Sequence, residues 1–395
     1  MPSVFRQSAA VVEMTIAGLG SRFWASATTV VSVAMVVATL LAFLAMGNGF
    51  RKTVEGTGSD EIAMILGTGT SGSELNSTMP LSSVRVLEEA RGIARDAAGK
   101  PIVSPETYVA VGATRRAGGG EVNVSFRGVT GNAAGMRPGF RIAEGRMFEP
   151  GTNELIVGAG VAREFAGFDV GNEIRLGANT WRIVGRFEVP GTVFDGEVWA
   201  DLPVIQTVFD RGPTVAALRA RLERAGDLSG IEELVADDPR LQVEVKTEKE
   251  HFAAGAGNIQ GLITIGSVLA VVLSFGALAG ALNTMYAAVE ARAKEMATLR
   301  AIGFGAFPAF AGAMTESLVL ALAGGAVGVL AAYLIFNGVS ASTLGDGFTQ
   351  VVFDFSVGPG QVVSGFALAL LLGLVGGVFP ALKAARAPLL KLGAD

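Results

Sequence analysis

The sequence predicts a membrane α-helical protein of four transmembrane helices, with an α+β extracytoplasmic domain inserted between helices 1 and 2. Three observations predict it. Apolar residues make up 50% of the 395-residue chain, yet they collect into four runs, about 24–46, 262–285, 310–336 and 362–382. Each run is close to the roughly twenty residues that cross a bilayer. A polar stretch long enough to bury its own core lies between the first and second runs. Basic residues gather beside the termini and one short loop, while the loop 337–360 carries Asp346 and Asp354 and no Lys or Arg.

Residues 1–23 place Phe5, Ala9, Val12, Ile16 and Leu19 on one helical face, with Arg6, Gln7 and Glu13 off it. That pattern predicts an amphipathic helix lying in the inner membrane interface. The run that follows is too long for a cleaved signal peptide, so 24–46 is expected as an uncleaved signal-anchor and the first crossing.

The extracytoplasmic domain is assigned to 47–257. Its Gly/Ser/Thr-rich start, Gly56–Thr78, reads as loop. Val86, Ala90 and Ile93 predict a helix over Leu81–Ala97. Alternating, β-branched segments at Pro101–Ala113 and Glu121–Val129 predict strands about a turn at Gly118-Gly119-Gly120, and Glu154–Gly158 and Trp181–Val189 read as further strands, separated by turns at Gly171-Asn172 and Gly177-Ala178-Asn179. Ala217–Glu223 suits a helix or a strand. The strand is preferred because it completes a β-α-β end with a helix at Leu228–Ala236 and a strand at Leu241–Val245.

The second crossing is expected over 258–285, a cytoplasmic charged helix over 286–305, the third crossing over 306–336, an outer loop over 337–360, the fourth crossing over 361–382 and a cytoplasmic tail over 383–395. Arg6, Arg22, Arg292, Lys294, Arg300, Lys383, Arg386 and Lys391 place both termini and the 286–305 loop in the cytoplasm and the large domain outside. In the charged helix, Val289, Met296, Leu299 and Ile302 share a face, Glu290 and Lys294 form an i, i+4 pair, and Gly303 and Gly305 end it. Small-residue pairs at Gly276/Gly280, Gly324/Gly328 and Gly373/Gly377 suit close helix packing or a dimer contact. Glu316 is a membrane-embedded charge near the cytoplasmic end of the third crossing.

Composition narrows the function. A net charge of −5 disfavours nucleic acid as partner. With no cysteine and one histidine, His251, there is no thiol chemistry, no disulfide framework and no His-cluster metal site. No nucleophile–base set or carboxylate-pair motif points to an enzyme.

The string Ala281–Phe304, A-L-N-T-M-Y-A-A-V-E-A-R-A-K-E-M-A-T-L-R-A-I-G-F, resembles the signature of FtsX-like (MacB-type) ABC transporter permeases. Glu316-Ser317-Leu318, Gly324-Gly325-x-x-Gly328 and the tail Pro380–Pro388 resemble the family's later motifs, with the tail's last proline one residue early. Gly139–Gly145, Glu154–Gly158, Trp181–Gly185 and Val193–Trp199 are similar to the MacB-type periplasmic core.

The resemblance implies a permease subunit in the bacterial inner membrane, paired with a second permease copy or paralogue and served by a cytoplasmic ABC ATPase. Whether a periplasmic or outer-membrane accessory protein docks above is left open by the sequence. It implies ATPase coupling through Val289, Glu290, Arg292, Glu295, Leu299, Arg300 and Gly303. It also implies a mixed α/β part at 50–118 with 213–250, and a β-rich part at 119–212. No Gly-x-x-x-x-Gly-Lys-Ser/Thr phosphate loop occurs, and Gly99-Lys100 runs into Pro101. ATP and Mg are therefore expected in the partner and no cofactor on this chain. The expected function is export or extraction of a lipid-linked, peptide-like or amphipathic substrate by mechanotransmission. The alternative is a non-transporting transmitter that regulates a partner such as a cell-wall hydrolase.

Overall fold

The structure, a computed structural model, describes residues 4–18, 20, 23–69, 72–116, 118–254, 305–344 and 350–386, with scattered positions between 264 and 286. It divides into two compact units. One comprises Met1–Asn48, Gln260–Val339 and Ser356–Asp395, the other Gly49–Ile259 and Ser340–Phe355.

The first unit is helical. Among the described residues, three helices are long and apolar enough to cross a membrane: Ser26–Glu55, Ala306–Phe336 and Pro359–Ala385. The expected second crossing falls largely outside the described residues. We label the helices α1 (Val4–Ala17), α2 (Phe23–Glu55), α7 (Ala306–Phe336) and α8 (Pro359–Ala385). Helix α7 is central because glycines on two of its faces admit neighbours. A Cβ added at Gly324 would stand 2.8 Å from the Val30 carbonyl oxygen, and one at Gly328 2.6 Å from that of Ala34. Both contacts are on α2. On the other face, the Gly325 and Gly373 positions lie 2.7 Å from the Ala369 and Ala321 methyls, which closes α7 on α8. The Ser317 hydroxyl donates to the Gly373 carbonyl at 2.6 Å. Such small-residue and hydroxyl contacts replace the hydrophobic drive that lipid removes.

The helix that carries the first apolar run continues past Met46: α2 runs on to Glu55, through Gly47 and Gly49. Helix α1 packs on α7 through Val11 and Thr15, which lie off the apolar face named from the sequence. Val11 and Thr15 are buried against Gly312, while Ala9 and Ile16 are exposed. Small and polar groups make the helix contact, and the large apolar groups stay on the side left for lipid.

The second unit is built on a ten-stranded sheet ordered β12-β1-β11-β3-β4-β9-β6-β8-β5, with β7 also on β8. The strands are β1 (Ile62–Gly67), β3 (Val103–Thr114), β4 (Glu121–Val129), β5 (Arg141–Gly145), β6 (Glu154–Gly158), β7 (Glu173–Leu176), β8 (Asn179–Glu188), β9 (Glu197–Asp201), β11 (Ala217–Arg221) and β12 (Val243–Thr247). A two-stranded pair, β2 (Met79–Pro80) with β10 (Thr214–Val215), stands beside it. Only β4/β9 and β6/β8 pair in parallel. Strand β3 joins the two halves: its start pairs with β11 and its remainder with β4.

Each half has its own core. Ala63, Ile65, Leu87, Ile93, Leu218 and Ile231 pack beneath α3 (Leu81–Leu87) and α6 (Ser229–Asp237). Phe126, Leu155, Trp181, Val198 and Ile205 pack beneath α4 (Ala159–Glu164) and α5 (Leu202–Val208). Phe187, Phe194 and Trp199 form a third cluster on Ile156, whose neighbours Leu155 and Val157 point to the other face. That alternation is the period-2 rule of a strand.

Three expectations change here. Gly56–Thr78 is not all loop, since it holds β1, every residue of it buried. The helix predicted over Leu81–Ala97 ends at Leu87, and Gly92 takes φ +84, a turn that L side chains resist. The loop expected over 337–360 forms a hairpin, β13 (Ser340–Leu344) with β14 (Gln350–Asp354), which belongs to this unit.

Candidate functional site

The predicted coupling residues Val289, Glu290, Arg292, Glu295, Leu299, Arg300 and Gly303 lie outside the described residues. The two ends of their segment do not. At its start, the Lys383 ammonium from the last turn of α8 sits 5.2 Å from the centre of the Tyr286 ring. At its end, the Gly305 N–H donates to Gln7 Oε1 of α1 at 3.3 Å, at the position that caps α7. Helices α8 and α1 therefore bracket the segment. The packing glycines divide. Gly324, Gly328, Gly373 and Gly377 meet neighbours within 3 Å, whereas a Cβ on Gly276 or Gly280 meets no described atom within 4 Å. Glu316 is buried on α7 beside Ser317.

The outer unit holds a feature that sequence reasoning missed. Glu106 on β3, Arg127 on β4, Glu197 on β9 and Arg219 on β11 line one buried face, joined by Glu74 after β1, Arg137 after β4 and Glu248 after β12. Glu106 accepts from Arg137 Nη1 and Nη2, both at 2.7 Å, from Arg219 Nη1 at 2.5 Å and from Arg127 Nη1 at 3.1 Å. Glu197 accepts from Arg127 Nε at 2.9 Å and Nη2 at 2.6 Å, and from the Trp199 indole at 2.7 Å. Glu74 bridges Arg127 and Arg219, and Glu248 takes Arg219 Nε at 2.8 Å. Aromatic faces cover the guanidiniums: Arg127 lies over Tyr108, and Arg137 over Phe194 and Trp199, each at 4.7–4.8 Å.

The electrostatics hold Glu106, Glu74 and Arg127 in their charged forms. Burial pushes Glu106 up, but Arg137, Arg219 and Arg127 outweigh it and hold its pKa at about 2. Burial is likewise overcome at Glu74, where Arg127 and Arg219 keep the carboxyl well below its ordinary range. Burial alone would lower Arg127, yet Glu197 and Glu74 raise it. Carboxylates held charged at neutral pH are poor proton donors, so Glu106 and Glu74 serve the cluster as counter-charges that brace the sheet. Its sequence signal is a charged residue facing inward within otherwise apolar strands, in register with its neighbours: Arg127 stands opposite both Tyr108 and Trp199.

Membrane-length helices joined through glycines, and an α+β unit braced by a buried ion cluster, define a membrane protein that carries a large folded domain in addition to its helices. A family model of the MacB-like periplasmic core domain matches residues 26–238, and one of the FtsX-like permease C-terminal region matches 267–389. The chain belongs to the FtsX-like permeases that carry a MacB-like periplasmic core domain. It is 23% identical to the macrolide export ATP-binding/permease protein MacB of Bdellovibrio bacteriovorus, over 91% of this chain and 58% of that protein. Against the MacB of Agrobacterium fabrum the values are 25%, 93% and 58%. A shorter match, 31% identical, joins 35% of this chain to 33% of the ABC transporter permease YknZ of Bacillus subtilis. The chain thus spans little more than half the length of the MacB relatives it matches. Among solved structures, the periplasmic region of MacB from Actinobacillus actinomycetemcomitans aligns with a TM-score of 0.36 at 10% identity, over 54% of this chain and 97% of that one. So remote a likeness carries no further argument.

Proposed function

We propose that this chain is the membrane subunit of an ABC exporter in the bacterial inner membrane. ATP hydrolysis by a separate ATPase subunit, with its Mg, drives export or extraction of a lipid-linked, peptide-like or amphipathic substrate. Coupling is mechanical. The observation that carries this reading is the bracketed segment between Tyr286 and Gly305: α8 holds one end, α1 holds the other, and α7 starts at Gly305. A push on that segment enters α7, which is closed on α2 and α8 by glycine contacts too tight to slip. Export activity in relatives whose printed names say "macrolide export" and "pyoverdine export" supports the direction of transport. A second permease copy, both termini in the cytoplasm and four crossings complete the proposal.

The test is reconstitution of the full chain with its ATPase in liposomes, followed by Glu295→Ala and Arg300→Ala together. The variant is expected to insert and pair normally while ATP turnover no longer depends on the permease. Wild-type dependence that survives the double change rejects the docking assignment. A complex that instead activates a cell-wall hydrolase, with no amphipathic compound moved, establishes the transmitter alternative.

A further inference from the structure

We infer that the loop Val189–Glu197 is the anchor through which the membrane connections grip the outer domain, with Phe194, Thr57 and Val352 as its positioning residues. The inference rests on the exporter reading above and adds where force enters. Three stretches of chain that lead to or from apolar runs meet this one loop, all inside the outer unit. The end of α2 arrives first. Thr57 is fully buried, donates to the Thr53 carbonyl at 2.6 Å and accepts the Val193 N–H at 2.8 Å. Beside it, a Cβ on Gly56 would stand 2.9 Å from the Gly191 carbonyl oxygen.

The chain leaving β12 toward the second apolar run arrives next. Phe252 meets Phe194 edge to face, 5.8 Å between ring centres. The hairpin between α7 and α8 arrives third. Val352 on β14 is buried in the core beneath α4, and its Cβ lies 3.6 Å from an ideal Cβ on Gly196. The same hairpin reaches the end of α2, where Phe353 meets Phe50 at 5.4 Å and Asp354 backs directly onto Gly49.

The loop itself is stiff. Asp195 accepts the Val189 N–H at 2.6 Å, and Thr192 ties back to the Val189 carbonyl at 2.7 Å. It is also bonded to the brace: Phe194 lies under Arg137 at 4.8 Å and Arg219 at 5.9 Å, and Glu197 closes on Arg127. A displacement delivered at Thr57, Phe252 or Val352 therefore reaches the ion cluster, which spans both halves of the sheet, through one packed aromatic ring. A junction of this density moves as a body, because packed cores shift between discrete arrangements and do not deform smoothly.

Because the chain has no cysteine, an introduced pair can test this. The 3.6 Å separation at Gly196 and Val352 falls in the range of about 3.5–4.5 Å that a disulfide needs. The full chain and its ATPase are placed in nanodiscs, with a fluorescent amino acid replacing the exposed Glu173 and acceptor-labelled lipid in the bilayer. Energy transfer is read with and without ATP plus vanadate. Wild type is expected to show a nucleotide-driven change. Phe194→Ala and Val352→Ala should keep ATP hydrolysis but shrink the driven population by about 2- to 30-fold, the span of couplings that single residues carry. The Gly196→Cys/Val352→Cys pair should behave like Val352→Ala when reduced and like wild type when oxidised.

An oxidised pair that abolishes the change overturns the inference, since the contact would then have to open in each cycle. So does a Val352→Ala variant or reduced pair with an undiminished change. Should Phe194→Ala fail to fold, the double-cysteine protein compared with itself in two redox states still decides. A wild-type complex with no nucleotide-driven change at all refutes the mechanical exporter reading instead.

Discussion

Replacing Arg127 by Met is the sharpest test of the brace, because its cost must depend on pH in a set direction. Arg127 is 1% exposed and touches Glu74, Glu106 and Glu197. Removing it leaves buried carboxylates short of a counter-charge, which costs about 3–5 kcal/mol near neutral pH. In wild type, Glu106 has a folded pKa of about 2 against 4.5 when unperturbed. A depressed carboxylate stabilises the fold fully above its unfolded value and loses that contribution as pH falls through the folded one. At about 1.4 kcal/mol per pH unit, the interval from 4.5 to about 2 is worth roughly 3 kcal/mol. Glu74, lowered in the same way, adds to it in the same window. In the variant the weakened carboxylates take up protons more readily, so acid relieves part of the damage. The stability gap should therefore be widest at pH 7 and narrow clearly by pH 3.5. Urea unfolding of the detergent-solubilised chain in a Trp24→Phe background measures it, since Trp181 and Trp199, both buried in the outer domain, then supply the emission. A gap of equal size at both pH values would show that the loss is one of packing and not of charge.

Three further outcomes follow from the helical unit. Gly328→Val forces a side chain onto the Ala34 carbonyl and the Val37 Cβ, at 2.6 and 2.9 Å from the first added carbon. It should lower the thermal stability of solubilised protein by about 1–3 kcal/mol. Ser317→Ala removes the bond to the Gly373 carbonyl and should cost roughly 0.6–1.7 kcal/mol by chemical denaturation in micelles. Gln7→Ala removes the bond from the Gly305 N–H at the start of α7 and should reduce permease-dependent ATP turnover while leaving insertion intact, as measured on the reconstituted complex; unchanged turnover would remove α1 from the coupling path.

The two kinds of segment differed in how legible they were. Strands β3, β4 and β8 alternate apolar and polar residues over most of their length, and the sequence shows them directly. Strand β1 does not alternate. Ala63 and Ile65 fill one core while Met64 and Leu66 fill the other face, so both faces are apolar and the period vanishes. Its Gly- and Ser-rich surroundings hid it further. The brace escaped notice because its members are scattered from Glu74 to Glu248 and become neighbours only once the sheet order is known. On α1 the apolar pattern shows which side prefers lipid but not which side meets α7, a contact made by Val11 and Thr15.

The position of Ile62–Gly67 governs the order in which the chain can be assembled during synthesis. This strand is made early, yet both of its partners, Ala217–Arg221 and Val243–Thr247, are made late. Until Ala217–Arg221 is made both edges of this apolar strand are open, and until Thr247 is made one still is, the kind of segment that pairs with whatever it meets. Slowing translation just before Ala217 should therefore raise the fraction lost to aggregation.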